Sequence, residues 1–171
     1  AINVSGGSLV FAGGLSVHHY GSGALTLNAR LSGGFIQKAG SGKLALTCVT
    51  NNYNTMTYLL GGTLSVPADG CLGTGTTPLT FNGGTLLTTA GFSTARPVTL
   101  SANGGTFQTD AGTLELTGIV GGAYGALNKT GAGTLLLSNT NLYSGPTTVS
   151  AGTLKLGSGS ALGVSAAMGN R

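Results

Sequence analysis

The sequence has few charged residues, and acids are the scarcest of them. Only 6% of its 171 residues are charged, and Asp69, Asp110 and Glu115 are its only acidic side chains. General acid–base catalysis and glycoside hydrolysis depend on positioned carboxylates, usually a pair. Asp110 and Glu115 are five residues apart across a candidate turn and could form such a pair. They could equally be a solvated turn residue and a solvated strand residue with no catalytic role. The scarcity of acids therefore predicts that the chain is not an enzyme.

Long apolar runs, tryptophan and a signal peptide are also missing. No stretch approaches the ~18 apolar residues of a membrane-spanning helix, so no membrane span is expected in this chain. No signal peptide is seen before Ala1, and any export signal is expected either to have been removed or to lie outside this sequence. Low charge combined with a mean hydropathy of +0.32 argues against disorder. The 33 glycines follow no three-residue period, which excludes collagen.

Two long segments, 38–73 and 129–163, repeat one another. The first starts KAGSGKLALTCVTNNY and the second KTGAGTLLLSNTNLY; both continue through a G-T-L motif to L-G. The opening lysines are 91 residues apart, and the tyrosines and later motifs are 90 apart, because the first copy has one extra residue. A chain that repeats itself over about half its length is an array, in which each unit packs on its neighbours.

A shorter period lies within the long one. The signature Gly-x-Leu or Gly-x-Phe recurs at spacings of 19, 20, 22, 21, 7, 21 and 19 residues. A unit of about twenty residues is too short for helical repeats and suits one coil of strands and tight turns. The sequence therefore predicts a parallel β-solenoid of about eight coils. The glycines that carry the signature are Gly23, Gly42, Gly62, Gly84, Gly105, Gly112, Gly133 and Gly152.

Apolar side chains alternate with polar ones in the segments that follow these glycines, which is the strand period. The alternation predicts a core that includes Leu46, Leu64, Val66, Leu116, Leu137 and Leu156. We expect Leu64 and Val66 to stack with the leucine pairs Leu44/Leu46, Leu114/Leu116, Leu135/Leu137 and Leu154/Leu156. Threonines would then point outward, and a threonine-rich ice-binding face could include Thr63, Thr85, Thr113, Thr134 and Thr153. They fall mainly once per coil, whereas ice binding would favour regular T-x-T rows.

An antiparallel meander is the alternative to the solenoid. Asn-Gly is a strong hairpin signal, and NGG occurs at Asn82–Gly84 and Asn103–Gly105. Arrays of hairpins seldom keep a near-constant period of twenty residues. The period therefore favours parallel coils over hairpins.

Basic residues and histidines form no cluster in the sequence. The net charge is +4, but Lys and Arg are scattered, so no nucleic-acid partner is expected. Lys38 and Lys129 occupy equivalent repeat positions, which we interpret as a solvated surface feature. His18 and His19 would face opposite sides of a strand and could not hold one metal ion together, although the neighbouring Tyr20 allows a surface contact. The segment GSGK (40–43) lacks the flanking residues of a phosphate-binding loop. We expect no metal, cofactor or catalytic residue.

The repeat pattern K-x-G-x-G-x-L-x-L…N-x-Y-S-G…T-T-V-S-x-G-T-L-x-L-G resembles the passenger-associated transport repeat, also called the autotransporter-associated β-strand repeat. Segment 129–163 matches it nearly throughout, whereas 38–73 departs at 48–49 and 54–55. The intervening coils, 79–116, are similar to the sequence between such repeats. The resemblance implies a right-handed parallel β-helix, a single solenoid over 1–171. It also implies secretion, with an extracellular or bacterial outer-membrane surface location.

The two cysteines, Cys48 and Cys71, are 23 residues apart, which is close to one coil length. Neighbouring strands lie ~4.8 Å apart, within the range of Cα distances that a disulfide spans. An extracellular location would permit oxidation. Two buried thiols that act as small hydrophobic side chains are the alternative.

The function expected from these features is structural or adhesive rather than catalytic. The chain would supply length, rigidity and surface contact, with host cells or glycans as candidate partners. Neither end offers a polar cap, so self-association of uncapped solenoid ends into a filament is also expected. The alternative class is a carbohydrate-active or carbohydrate-binding β-helix.

Overall fold

The chain winds through short strands that pair in parallel with strands about one coil away. The computed structural model describes residues 3–4, 7–157 and 162–163, with side chains from residue 7 onward. In this part of the chain there is one four-residue 3-10 helix, Asp69–Leu72, and the rest is strand, turn and loop. The prediction of a parallel β-solenoid with almost no helix is confirmed.

The strands stack into three sheets, which we call A, B and C. Sheet A contains β1 (Asn3–Val4), β3 (Ala24–Leu27), β5 (Lys43–Leu46), β7 (Thr63–Val66), β9 (Thr85–Thr88), β12 (Gly105–Thr109), β15 (Leu127–Thr130) and β18 (Thr147–Val149). Sheet B contains β2 (Ser8–His18), β4 (Arg30–Ala39), β6 (Thr57–Leu59), β8 (Leu79–Phe81), β11 (Val98–Leu100), β14 (Val120–Gly122) and β17 (Leu142–Tyr143). Sheet C contains β10 (Phe92–Thr94), β13 (Thr113–Leu116), β16 (Thr134–Leu137) and β19 (Thr153–Leu156).

Each coil contributes one strand to sheet A, and we number the coils 1 to 8 by those strands. From the first to the eighth strand of sheet A the chain makes about seven turns. In coils 5 to 7 the chain passes through sheet C between sheets A and B. In coil 4 the loop that contains the 3-10 helix takes that place.

The Asn-Gly-Gly motifs form corners between sheets. Asn82–Gly84 joins β8 of sheet B to β9 of sheet A, and Asn103–Gly105 joins β11 to β12 one coil later. Gly83 and Gly104 have φ values of 98° and 65°, which glycine adopts without steric cost. The Gly83 amide donates to the Gly104 carbonyl at 2.8 Å, linking the two corners. The strands on either side of each motif belong to different sheets, so the hairpin alternative is wrong.

The core runs along the solenoid as columns of inward-facing side chains. Leu44, Leu64, Leu86 and Phe107 occupy one position of sheet A in coils 3 to 6, and all four are fully buried. The Phe107 ring packs against Phe81 of sheet B, with ring centroids 4.8 Å apart. The sheets are therefore held together by apolar contacts across a narrow interior.

Five of the six predicted core residues are buried. The exception is Leu156, whose side chain is 49% exposed. It lies on β19, the last strand of sheet C in the described part of the chain, so that no described coil covers it. The five confirmed core residues are Leu46, Leu64, Val66, Leu116 and Leu137.

The two long repeats lie on different faces of the solenoid. Equivalent strands β5 and β16 belong to sheets A and C, respectively. Paired residues in successive coils are about 21 positions apart, so an offset of 90 residues is about 4.3 coils. The second repeat therefore begins about a third of a turn further around the axis. The expected single stack is wrong, because Leu114, Leu135 and Leu154 form their own column in sheet C, away from Leu64.

Three expectations about the extent of the fold stay predictions. They are the right hand of the helix, the single solenoid over 1–171, and the uncapped ends. Residues 158–161 and 164–171, and most of 1–6, lie outside the described residues.

Candidate functional site

Lys38 lies inside the solenoid, at a corner that leads from sheet B to sheet A. Its side chain is fully buried. The ammonium nitrogen Nζ donates to the carbonyl oxygens of Ala39, Gly40 and Gly61 at 2.7, 2.8 and 3.2 Å. Burial lowers the pKa of the Lys38 ammonium group. The interpretation of this lysine as a solvated surface feature is wrong, because the corner turns carbonyl groups inward and they need a donor.

Lys129 repeats this arrangement at a corner that leads from sheet A to sheet C. It too is fully buried, and its Nζ donates to the carbonyls of Thr130, Gly131 and Ala151 at 2.5, 2.8 and 3.2 Å. Burial lowers the pKa of the Lys129 ammonium group, and the negative charge of Asp110 partly opposes that effect. The solvated interpretation is wrong here as well. We call these two arrangements the lysine cages.

A glycine of the next coil lies directly against each cage. A Cβ atom at Gly62 would lie 2.8 Å from Lys38 Nζ, and one at Gly152 would lie 2.8 Å from Lys129 Nζ. Both glycines also have positive φ values, 61° and 70°. The G-T-L motif of the repeat therefore begins with glycine because the corner needs its conformation and its lack of a side chain.

Two buried asparagines of the repeat bond to the backbone of neighbouring coils. Asn51 Oδ1 accepts from the Leu31 amide at 2.8 Å, and its Nδ2 donates to the Cys71 carbonyl at 2.9 Å. Asn141, ninety residues later, accepts from the Val120 amide at 2.8 Å. Each asparagine thus satisfies backbone groups where a loop interrupts the strand ladder.

Two buried tyrosines complete the repeat. The Tyr53 hydroxyl pairs with the Thr57 hydroxyl at 2.9 Å, and Tyr143 pairs with Thr147 at 2.7 Å. Burial raises the pKa of Tyr53 well above its usual value. The polar residues that define the repeat therefore bond to the backbone or to one another inside the coils, and form no open site.

A buried arginine ties coil 5 to the loop of coil 4. The Arg96 side chain is fully buried, and its Nε and Nη2 donate to the two carboxylate oxygens of Asp69 at 2.7 and 3.1 Å. Nη2 also donates to the Gly73 carbonyl at 2.9 Å, and Nη1 to the carbonyls of Thr77, at 3.1 Å, and Thr74. The guanidinium group thus holds the whole loop that follows β7.

The lysine cages and the arginine–aspartate pair were not anticipated from the sequence. A signal for the cages was present, because the same residue types recur at offsets of 90 or 91. Equivalent positions in stacked coils can hold buried polar groups as well as exposed ones. Nothing in the spacing of 27 residues between Asp69 and Arg96 indicated their pairing.

The candidate catalytic carboxylates are engaged by different partners. Asp110 Oδ1 accepts from Gln108 Nε2 at 2.8 Å at the end of β12. Glu115 points outward from sheet C, where its Oε1 accepts from the Ser138 hydroxyl at 2.7 Å. The third acid, Asp69, is paired with Arg96. Each acidic side chain therefore has a structural partner of its own.

The histidines face different environments, as their adjacency indicated. His18 is exposed, whereas the His19 ring stacks on a glycine corner, with Nδ1 2.3 Å from where a Cβ of Gly42 would lie. Tyr20 is 72% exposed. Among the described residues, no three His, Cys, Asp or Glu side chains are grouped as metal ligands. The same part of the chain contains no helix long and apolar enough to cross a bilayer.

The two cysteines are free thiols in this structure. Cys71 is fully buried in the 3-10 helix of coil 4, and Cys48 is half-buried in the loop of coil 3, where its Sγ lies 3.4 Å from Thr50 Oγ1. Burial raises the pKa of the Cys71 thiol to about 11. A disulfide between the two stays a prediction.

Alkylation should distinguish the two thiols. Because thiolate is the reactive form, Cys71 should resist iodoacetamide in the folded chain at pH 8, where it is protonated and buried. Cys48 should react, and unfolding in urea should expose both. Mass spectrometry of the alkylated chain gives the count. Two unreactive cysteines that become reactive only after reduction would instead indicate a disulfide.

The outward threonines are divided between two sheets. Thr63 and Thr85 are paired neighbours on sheet A, whereas Thr113, Thr134 and Thr153 form a ladder on sheet C. The single threonine-rich face considered in the sequence is therefore not formed. No described strand of these sheets presents two outward threonines in T-x-T spacing. The regular T-x-T rows that ice binding would favour are therefore not formed by these strands.

Comparison with known proteins identifies the repeats. A family model described as the passenger-associated-transport-repeat matches residues 36–66 and 127–156. Both matches contain a lysine cage, the following asparagine and tyrosine, and the G-T-L corner. No solved structure matches the chain.

A curated relative carries related sequence. Over 106 residues, 57% of this chain, the sequence is 40% identical to the adhesin BmaC autotransporter of Brucella suis biovar 1 (strain 1330). The match spans only 3% of the length of that adhesin. The chain is therefore a β-solenoid that contains two passenger-associated transport repeats, and over 57% of its length it is similar to a small part of an autotransporter adhesin.

Proposed function

We propose that this chain is a non-catalytic structural or adhesive module, displayed on a bacterial surface or secreted. One observation carries the proposal. The polar residues that the two repeats share donate to or accept from backbone and hydroxyl groups within the coils. These side chains therefore stabilise the solenoid and are not available for a catalytic reaction. Similarity to a protein named as an adhesin supports a role in contact.

Surface display tests the adhesive role. The chain would be fused to a display carrier in a non-adherent bacterium, and adhesion to cultured epithelial cells would be counted. A Leu64→Asp variant, which places a charge in the core column and should disrupt the solenoid, is the negative control. Adhesion above that control is expected. Equal adhesion would contradict an adhesive function, and polysaccharide turnover that Asp110→Asn abolishes would contradict the non-catalytic role.

End-to-end assembly is a second candidate function. Parallel coils can be extended by adding a strand to an open sheet edge, and sheet A continues in register from β3 to β15 without a break. Filaments in electron micrographs and fast-sedimenting species are the expected observations. A strictly monomeric species at high concentration would contradict assembly.

A further inference from the structure

The outer face of sheet B carries a continuous column of apolar side chains. Backbone hydrogen bonds of 2.9–3.0 Å place its members side by side on successive coils: Ile36 N to Met56 O, Thr57 N to Pro78 O, Leu79 N to Pro97 O, and Val98 N to Ile119 O. Each member precedes a buried residue in the strand alternation and so points outward. The column consists of Phe35, Met56, Pro78, Pro97 and Ile119.

A second outward column runs beside the first. The Phe35 and Tyr58 rings meet edge to face, with centroids 5.7 Å apart, and the Thr80 hydroxyl donates to Met56 Sδ at 3.3 Å. These contacts join the two columns into one surface. The second column consists of Gln37, Tyr58, Thr80, Thr99, Gly121 and Leu142. We call the two columns together the sheet B face.

Several polar groups on this face have no partner within the described chain. The side-chain amide of Gln37 and the hydroxyls of Tyr58 and Thr99 make no hydrogen bond to another described residue, although they lie beside apolar side chains. Apolar surface with a few unengaged donors and acceptors is the composition typical of binding sites for small or extended ligands.

The sheet B face carries no charge. The strands that form the columns contain two charged residues, both on β4. Lys38 points inward and is fully buried, and Arg30 lies at the start of β4, five residues before Phe35 and outside both columns. An anionic or cationic ligand would find no counter-charge in either column. The face therefore suits a neutral ligand.

The dimensions favour an extended ligand over a folded protein. Five rungs at ~4.8 Å make a stripe roughly 20 Å long, and two outward positions on a strand lie about 7 Å apart. The resulting area, on the order of 200 Å², is far below the ~800 Å² per partner of a stable protein–protein interface. An extended peptide would seek unpaired backbone groups, whereas strands β6, β8 and β11 are paired on both sides.

From these features we infer that the sheet B face binds a neutral polysaccharide chain. Sugar rings present C–H faces, which pack on aromatic and aliphatic side chains, and hydroxyl groups, which bond to amides and hydroxyls such as Gln37, Tyr58 and Thr99. This inference rests on the proposed adhesive function and gives that function a ligand class and a location.

Affinity electrophoresis in gels that contain dextran, mannan or galactan tests the inference, with heparin as the charged counterpart. At least one neutral polysaccharide should retard the chain. Tyr58→Ala should weaken that binding by about tenfold or more, since a few aromatic contacts carry much of the affinity of a binding site. Tyr124→Ala is the matched control, because Tyr124 is 82% exposed at a corner outside both columns, and it should bind like the parent. Circular dichroism would verify that both variants fold.

Three results would overturn the inference: no retardation by any neutral polysaccharide, retardation by heparin alone, or equal weakening by the two variants. The display experiment separates this inference from the proposed function. Adhesion without binding to a neutral glycan would contradict the glycan site but not the adhesive role. Tyr58-dependent glycan binding without adhesion would contradict the adhesive role but not the glycan site.

Discussion

Replacement of Arg96 by methionine is expected to lower the free energy of unfolding by about 3–5 kcal/mol. Several inward carbonyls would lose their donor, each at a cost of about 1–3 kcal/mol, whereas the Asp69 carboxylate, whose side chain is 31% exposed, would be partly solvated. The guanidinium group is fully buried and makes its bonds to the Asp69 carboxylate and to carbonyls of the same loop. Methionine fills similar volume but donates no hydrogen bond. The variant would therefore leave a carboxylate and several inward carbonyls without a donor.

Urea unfolding followed by circular dichroism would measure the loss. Arg30→Met is the matched control, because Arg30 is exposed and its Nε makes a single bond to the Thr50 carbonyl at 3.0 Å. That variant should change stability by less than about 1 kcal/mol. Similar losses in the two variants would show that the Arg96 network does not hold the coil 4 loop.

Substitution of either caged lysine, Lys38→Met or Lys129→Met, is expected to cost about 2–4 kcal/mol. Three carbonyls in each cage would lose their donor, and each unsatisfied buried group costs about 1–3 kcal/mol. Relief from burying a charge offsets part of that cost, which is why the total stays below the simple sum.

The control for the lysine variants is Lys43→Met. Lys43 is half-buried on sheet A and follows the Lys38 corner directly in the sequence. Its replacement should leave the urea midpoint nearly unchanged. If Lys38→Met and Lys129→Met behaved like Lys43→Met, the cages would contribute nothing to stability, and the repeat would need another explanation.

The architecture could be predicted because it depends on local patterns. Alternating leucines and evenly spaced glycines determine where strands and corners form, and both patterns can be read from a single sequence. The sheet to which each strand belongs was not predicted, because it depends on the sum of coil lengths. A third of a coil accumulates between β5 and β16, and no single segment reveals it. For the same reason Leu64 and Leu135 were wrongly placed in one stack.

The lysine cages escaped prediction for a different reason. The acceptors are backbone carbonyls, which carry no residue-specific signal, so that the sequence shows only a lysine beside glycines. A lysine without an acidic neighbour is normally exposed. Here Lys38 and Lys129 are buried because the corners supply three acceptors each. The lysine recurs at equivalent positions of the two repeats, but recurrence alone does not distinguish a buried side chain from an exposed one.

Lysine acetylation of the folded chain, read by mass spectrometry, most directly tests the claim that the repeat residues build the interior. Lys43 and Lys155 should be acetylated rapidly, whereas Lys38 and Lys129, both fully buried, should stay unmodified until the chain is unfolded in urea. Acetylation of Lys38 and Lys129 in the folded chain at the rate of the other two would contradict the account.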